Sequence, residues 1–203
     1  PKAMRNGSAI AFFIAGLISL PLLSRIGFSF APLMLLCLLC GIFYTGGKKP
    51  LGYLGLGELL VFTFYGPVAT CLTVRTQLLF IPSEAWIASL APGFLSCALL
   101  AINNIRDGDE DRKANKLTLV ARFGKTFGRW EYASFLFISA LVPLLLVLYG
   151  QPSSLLLIWA LLPFAKEPLE IVFYHPENLN RALALTARLL ALYTLLFYAA
   201  LSV

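Results

Sequence analysis

NNIRDGDEDRKANKLTLVARFG, residues 103–124, is the one stretch of the chain where charge accumulates. Asp107, Asp109, Glu110 and Asp111 stand among Arg106, Arg112, Lys113, Lys116 and Arg122. Apolar runs too continuous for a soluble domain flank it on both sides. An acidic cluster wrapped in basic residues at a membrane surface suits a divalent cation together with a polyanionic ligand. The remainder of the chain reads as the holder of that site.

Composition supports this division. Of 203 residues, 59% are hydrophobic and 13% charged, against about 25% charged in soluble domains. The mean hydropathy of +0.82 points to an integral membrane protein of several helices. Seven spans are expected, at residues 8–24, 30–45, 57–73, 82–101, 131–149, 153–174 and 180–203. Each is long enough, with some tilt, to cross about 30 Å of hydrocarbon. The runs are Leu- and Ala-rich without two-residue alternation, which argues against an outer-membrane barrel. Residues 1–203 read as one membrane domain.

Seven spans place thirteen of the sixteen Lys and Arg residues on one side. That side is expected to be cytoplasmic. It carries both the charged stretch and the loop GGKKPLGYLGLGE that ends at Glu58. No basic run is interleaved with aromatics, so nucleic acid is not expected as a partner. No signal peptide is expected from the residues ahead of the first apolar run. Cys37, Cys40, Cys71 and Cys97 all lie in apolar runs. The C-x-x-C at Cys37 and Cys40 lacks the polar, electropositive setting that thiolate chemistry needs, and reads as buried thiols.

Within the charged stretch, Asp107 and Asp111 are four residues apart. A helix continuing past Ile105 would put both on one face, one turn apart. Such a pair can share one Mg²⁺ and leave its other positions to water and phosphate oxygens. Asp109 would point elsewhere. Lys116 and Arg122 could meet the anion. The alternative is a solvated loop with alternating charges. Asn103 and Asn104 weigh against it, because unpaired amides are costly at the end of an apolar span. So do four acids within five residues at a membrane surface, where acids add little to topology.

The same residues carry a resemblance. Asn103, Asn104, Arg106, Asp107, Asp111, Arg112, Lys116, Thr118, Leu119, Arg122 and Gly124 resemble the second aspartate-rich motif of the UbiA superfamily of intramembrane prenyltransferases. The likeness is to its 1,4-dihydroxy-2-naphthoate polyprenyltransferase (MenA) branch. FYTGGKKPLGYLGLGE, residues 43–58, resembles the family's other cytoplasmic loop, with its Tyr-x-x-x-Lys element at Tyr44 and Lys48. NLNRALALTARLL, from Asn178, resembles the last helices more loosely.

The resemblance implies an all-α, multi-spanning bundle with about seven helices of a nine-helix fold. It implies a Mg²⁺ ion held by Asp107 and Asp111 on a polyprenyl diphosphate. Tyr44, Lys48, Lys116, Arg122 and Asn104 would attend the diphosphate. An aromatic acid would accept the prenyl group and lose CO₂, in menaquinone or phylloquinone synthesis. The setting implied is a bacterial inner membrane, with the lipid bilayer around the apolar tail. The family's first aspartate-rich motif has no counterpart here, and PKAMRNGSAI resembles the segment just after it. Two N-terminal helices and half of the metal–diphosphate site are therefore expected to be missing.

Rival readings differ in class. One changes the acceptor to 4-hydroxybenzoate or homogentisate. A second is a transporter-like protein, although the charge lies in a surface loop rather than at mid-membrane and no internal repeat stands out. A third is an inactive fragment. Among single residues, Glu58 reads equally as a helix N-terminal acid or a substrate-loop residue. Arg188 reads equally as a functional intramembrane cation or a snorkelling side chain. Glu167 and Glu170 read as a solvated end or an interhelical patch, and His175 as a loop residue.

Overall fold

The computed structural model describes residues 2–47 and 49–202, and several helix boundaries follow from the sequence's punctuation. Helix α1, Lys2–Ile26, ends at Gly27, whose φ of 104° only glycine adopts freely. A short 3₁₀ turn leads into α2, Ala31–Thr45. The loop after it contains one further 3₁₀ turn, Leu51–Tyr53. Helix α3, Gly57–Thr63, passes through a π-helical turn, Phe64–Val68, into α4, Ala69–Leu78. Helix α5 is Ser83–Lys113, α6 is Leu119–Phe123 and α7 is Lys125–Leu148. A 3₁₀ segment, Ser153–Leu161, runs into α8, Leu162–Tyr174, and α9, Leu179–Leu201, closes the chain.

Six helices long and apolar enough to cross a bilayer lie among the described residues. The expected sixth span, residues 153–174, is helical but is not one of them. Its first nine residues are 3₁₀ and its next thirteen α. At 2.0 and 1.5 Å per residue these cover ~37 Å, so length is not the obstacle. Lys166, Glu167 and Glu170 make its second half polar. Pro163 has no N–H to donate to Trp159 one α-turn back, which favours the tighter winding before it. Instead the Leu162 N–H donates to the Trp159 carbonyl, and the Trp159 indole Nε1–H donates to Ala140 of α7 at 2.8 Å.

Helix α5 is the axis of the bundle. Its 31 residues extend ~46 Å, well beyond the hydrocarbon thickness. The fourth span was expected to end at residue 101. The helix instead carries on through the charged stretch, because nothing there breaks it and α3, α6, α7 and α9 all pack around it. Ala91, Ala98, Ala101 and Ile102 are fully buried along its length. Pro67 lies within the π turn, whose wider register absorbs the missing donor. That turn crosses α5 at Gly66 and Gly93. A Cβ on Gly66 would stand 2.9 Å from the Ser89 carbonyl oxygen and 3.0 Å from the Gly93 Cα, so only glycine allows this approach. On the far side, Tyr132 of α7 and Thr186 of α9 share a buried hydrogen bond of 2.8 Å.

Candidate active site

The polar end of α5 meets two loops, and backbone carbonyls accept most of the bonds that join them. Helix α5 ends in a Schellman motif. Asn115 takes a left-handed φ of 54°. Its N–H donates to the Arg112 carbonyl at 3.2 Å, and the Lys116 N–H reaches back to the Asp111 carbonyl at 2.8 Å. The reversal carries the Lys116 side chain over the same residue. Its Nζ donates to Asp111 Oδ1 at 3.1 Å and stands 3.1 Å from Oδ2, which forms no hydrogen bond. Asp111 is 8% exposed.

Thr118 then caps α6, its hydroxyl accepting the Ala121 N–H at 3.2 Å. Arg112 turns off α5 to donate twice to the Ala121 carbonyl, at 3.0 and 2.8 Å. Arg122 crosses between loops. Its Nε donates to the Leu117 carbonyl at 3.0 Å and its Nη2 to the Leu54 carbonyl at 2.8 Å. The Leu117 N–H donates to the Tyr53 carbonyl at 2.9 Å. Gly55 lies beneath this clasp at φ 77°, where a Cβ would come within 2.6 Å of the Leu117 carbonyl. The loop ahead of α3 and the loop after α5 are thus one unit.

Asp107 is about one-third exposed, and its carboxylate is held by the neighbouring Arg106. Nε lies 2.7 Å from Oδ1 and Nη2 2.9 Å from Oδ2. The third nitrogen of Arg106, Nη1, donates to Asn180 Oδ1 of α9 at 2.8 Å. Asp109 points away and pairs with Lys125 of α7 at 2.6 Å. Asp107 and Asp111 do share one side of α5, while Asp109 does not.

One turn before Asp107, Asn104 is 3% exposed and Glu58 of α3 is 8% exposed. Asn104 Nδ2 donates to Glu58 Oε1 at 2.7 Å, so each satisfies a polar group the other could not leave bare. The Cys97 thiol donates to the Glu58 backbone carbonyl at 3.3 Å. Tyr44, in the last turn of α2, is half-buried against two glycines. A Cβ on Gly52 would stand 3.4 Å from its ring and one on Gly57 3.5 Å from its hydroxyl. Lys48 lies outside the described residues.

From Tyr44 a cavity of about 600 Å³ runs between α2 and the α3–α4 segment. Leu60, Val61, Phe64 and Tyr65 line one wall. Cys37 and Cys40, both free thiols, line the other. Tyr44 lines the cavity, and its hydroxyl faces Gly57, next to the Glu58 that Asn104 holds. Asp107 lies about one turn and Asp111 about two turns beyond Asn104 along α5, with Lys116 on Asp111. Arg122 holds the two loops together. Sequence reasoning left Glu58 undecided and did not foresee Arg106 bridging to Asn180. The acid at the end of a Gly-rich turn was the available signal for the first. The second depends on α9 returning beside α5, which no local pattern encodes.

The fold is an all-α bundle of membrane-crossing helices with acidic and basic side chains clustered at one polar end. The UbiA prenyltransferase family model matches residues 3–192, and the chain belongs to that family. It is thus a multi-pass integral membrane protein. It is 38% identical over 140 residues to 1,4-dihydroxy-2-naphthoate octaprenyltransferase of Mycobacterium tuberculosis, covering 69% of this chain and 46% of that protein. It is 40% identical over 114 residues to the Haemophilus influenzae protein of the same name, covering 56% and 37%. A human relative, UbiA prenyltransferase domain-containing protein 1, is 31% identical over 99 residues, covering 49% and 29%. The chain spans less than half the length of these curated relatives. No solved structure matches it.

Proposed function

We propose that this chain belongs to an enzyme that transfers a polyprenyl group from its diphosphate to 1,4-dihydroxy-2-naphthoate, releasing diphosphate and CO₂. The observation that carries this is the arrangement along the polar end of the bundle: Tyr44 on an apolar cavity and beside the helix start that holds Glu58, Glu58 bonded to Asn104 of α5, and Asp111 with Lys116 further along the same helix. The names of the relatives favour naphthoate over other aromatic acids.

Asp107 and Asp111 would hold Mg²⁺. Their side chains share one side of α5, and among the described residues the cation on the Asp111 carboxylate is Lys116, 3.1 Å from either oxygen. Among the described residues no group of three ligating side chains is assembled. Mg²⁺ commonly takes one or two carboxylates and fills its octahedron with water and phosphate oxygens, so a pair of aspartates is a sufficient protein contribution. When bound, the ion supplies positive charge to the departing diphosphate. Lys116 sits where it can pass from Asp111 to a phosphate oxygen. Arg122 keeps N–H groups beyond the two it gives to carbonyls. Tyr44 lines the cavity and offers a hydroxyl, and Lys48 belongs to the same loop.

The allylic C–O bond breaks and its electron pair leaves with diphosphate. The ring carbon bearing the carboxylate gives its pair to the allylic carbon. The ring–carboxylate bond then breaks, CO₂ departs, and that pair restores the aromatic ring. The half-buried setting keeps water from the allylic cation. The same reading puts residues 1–203 in one domain, in a bacterial inner membrane with the clasped loops facing the cytoplasm, in quinone synthesis.

The test is turnover in nanodiscs with Mg²⁺, a polyprenyl diphosphate and either dihydroxynaphthoate or 4-hydroxybenzoate. Prenylated naphthol with CO₂ release, lost in Asp107→Ala and Asp111→Ala, is expected once any upstream coding sequence is restored. Folded protein that turns over neither acceptor overturns the proposal. Turnover of 4-hydroxybenzoate alone overturns the choice of acceptor.

A further inference from the structure

Helix α9 leaves the polar end of the bundle at Asn180, which Arg106 holds. Eight residues further, ~12 Å along the axis, stands Arg188. It is exposed and lies inside an apolar span. A cation at that depth is costly without a counter-charge. The acid that shares its crevice is Glu167 of α8, but Arg181 pairs with that carboxylate. Glu170 is paired with Lys166 at 3.8 Å. Among the described residues Arg188 has no carboxylate within ion-pair distance.

Arg188 opens into a crevice of about 260 Å³ between α8 and α9. Phe164 lies on one wall and Leu185 and Leu192 on the other, with Glu167 at the polar end. Long side chains on a helix lean towards its N-terminus. For Arg188 that direction is towards Arg181 and the headgroup level. A guanidinium fork above apolar walls complements a phosphate that carries acyl chains, and basic pockets between membrane helices take anionic headgroups.

We propose that this crevice binds an anionic phospholipid from the leaflet on the active-site side, with Arg188 donating to its phosphate and the apolar walls taking its acyl chains. The site stands on α8 and α9, whereas the cavity at Tyr44 stands on α2 to α4. It does not depend on the prenyl-transfer reading.

The test is native mass spectrometry of the detergent-purified chain titrated with phosphatidylglycerol or phosphatidylcholine. Wild type is expected to retain a phosphatidylglycerol through mild activation and to favour it over phosphatidylcholine. Arg188→Gln is expected to weaken that binding about tenfold or more, and Arg188→Lys less. Leu185→Trp fills the crevice while leaving the charge and should also displace the lipid. An unchanged thermal midpoint in either variant shows that the fold is intact. Equal phosphatidylglycerol retention by wild type and both variants overturns the proposal. So does displacement of the lipid by inorganic diphosphate, which would make this a soluble-anion site.

Discussion

Lys116 and Asp111 are joined twice, once through the backbone at 2.8 Å and once through their side chains at 3.1 Å. The first bond is the signature of the helix terminus, and it delivers the second. The way α5 stops therefore decides where the cation beside Asp111 stands. Asn115 is the residue that permits the reversal.

Asn115 is consequently expected to be sensitive to β-branching and indifferent to loss of its side chain. Asn115→Val should cost about 1–2 kcal/mol, because a left-handed backbone crowds the added methyls. Asn115→Gly should be neutral or mildly stabilising. Thermal unfolding read by a thiol-reactive dye, which the four free cysteines allow, measures both.

The two carboxylates should separate by role. Asp111→Asn keeps the shape but removes charge from a buried position, and a loss of about 10²–10³ in turnover is expected. Asp107→Asn should fall as far in turnover with little change in stability, since its partner Arg106 keeps Asn180. Turnover against Mg²⁺ concentration checks this. Unchanged activity in both variants contradicts the metal assignment.

The clasp between loops should fail if its fork is removed. Arg122→Lys cannot reach the Leu117 and Leu54 carbonyls with two fixed donors. A loss of about 1–3 kcal/mol is expected, with faster amide exchange at residues 53–57 and 114–124. Gly55→Ala should do the same by a separate route, through its φ of 77° and the carbonyl 2.6 Å from the new Cβ. Exchange that stays slow in both variants would mean that the loops are not held by this contact.

Asn104 and Glu58 should be strongly coupled. Asn104→Ala leaves a buried carboxylate bare and is expected to cost about 1–3 kcal/mol. In Glu58→Gln, Asn104→Ala should cost less, because a neutral amide is cheaper to strand than a carboxylate. A double-mutant cycle with thermal unfolding reads the difference. Additive effects would mean that the 2.7 Å hydrogen bond contributes nothing.

Much of this was legible in the chain. Continuous apolar runs require helices, because a bilayer leaves no other way to pair backbone polar groups. The spacing of Asp107 and Asp111 needed only an unbroken helix to share a side, and nothing between Ile105 and Lys113 breaks one. The charge in residues 103–124 marked the site because such residues are expensive anywhere else in a chain of this composition.

What the chain concealed were partners distant in sequence. Arg122 looked like a ligand for anions, yet two of its donors go to carbonyls, one of them 68 residues away. Glu58 was ambiguous until Asn104, 46 residues on, stood against it. The winding before Pro163 depended on Trp159 finding a carbonyl on α7. Local residues set hydropathy, helix limits and the left-handed turn at Asn115, since these depend on side chains a few positions apart. Which donor meets which acceptor was settled by packing around α5, because a hydrogen bond forms only where two folded segments arrive within about 3 Å of each other.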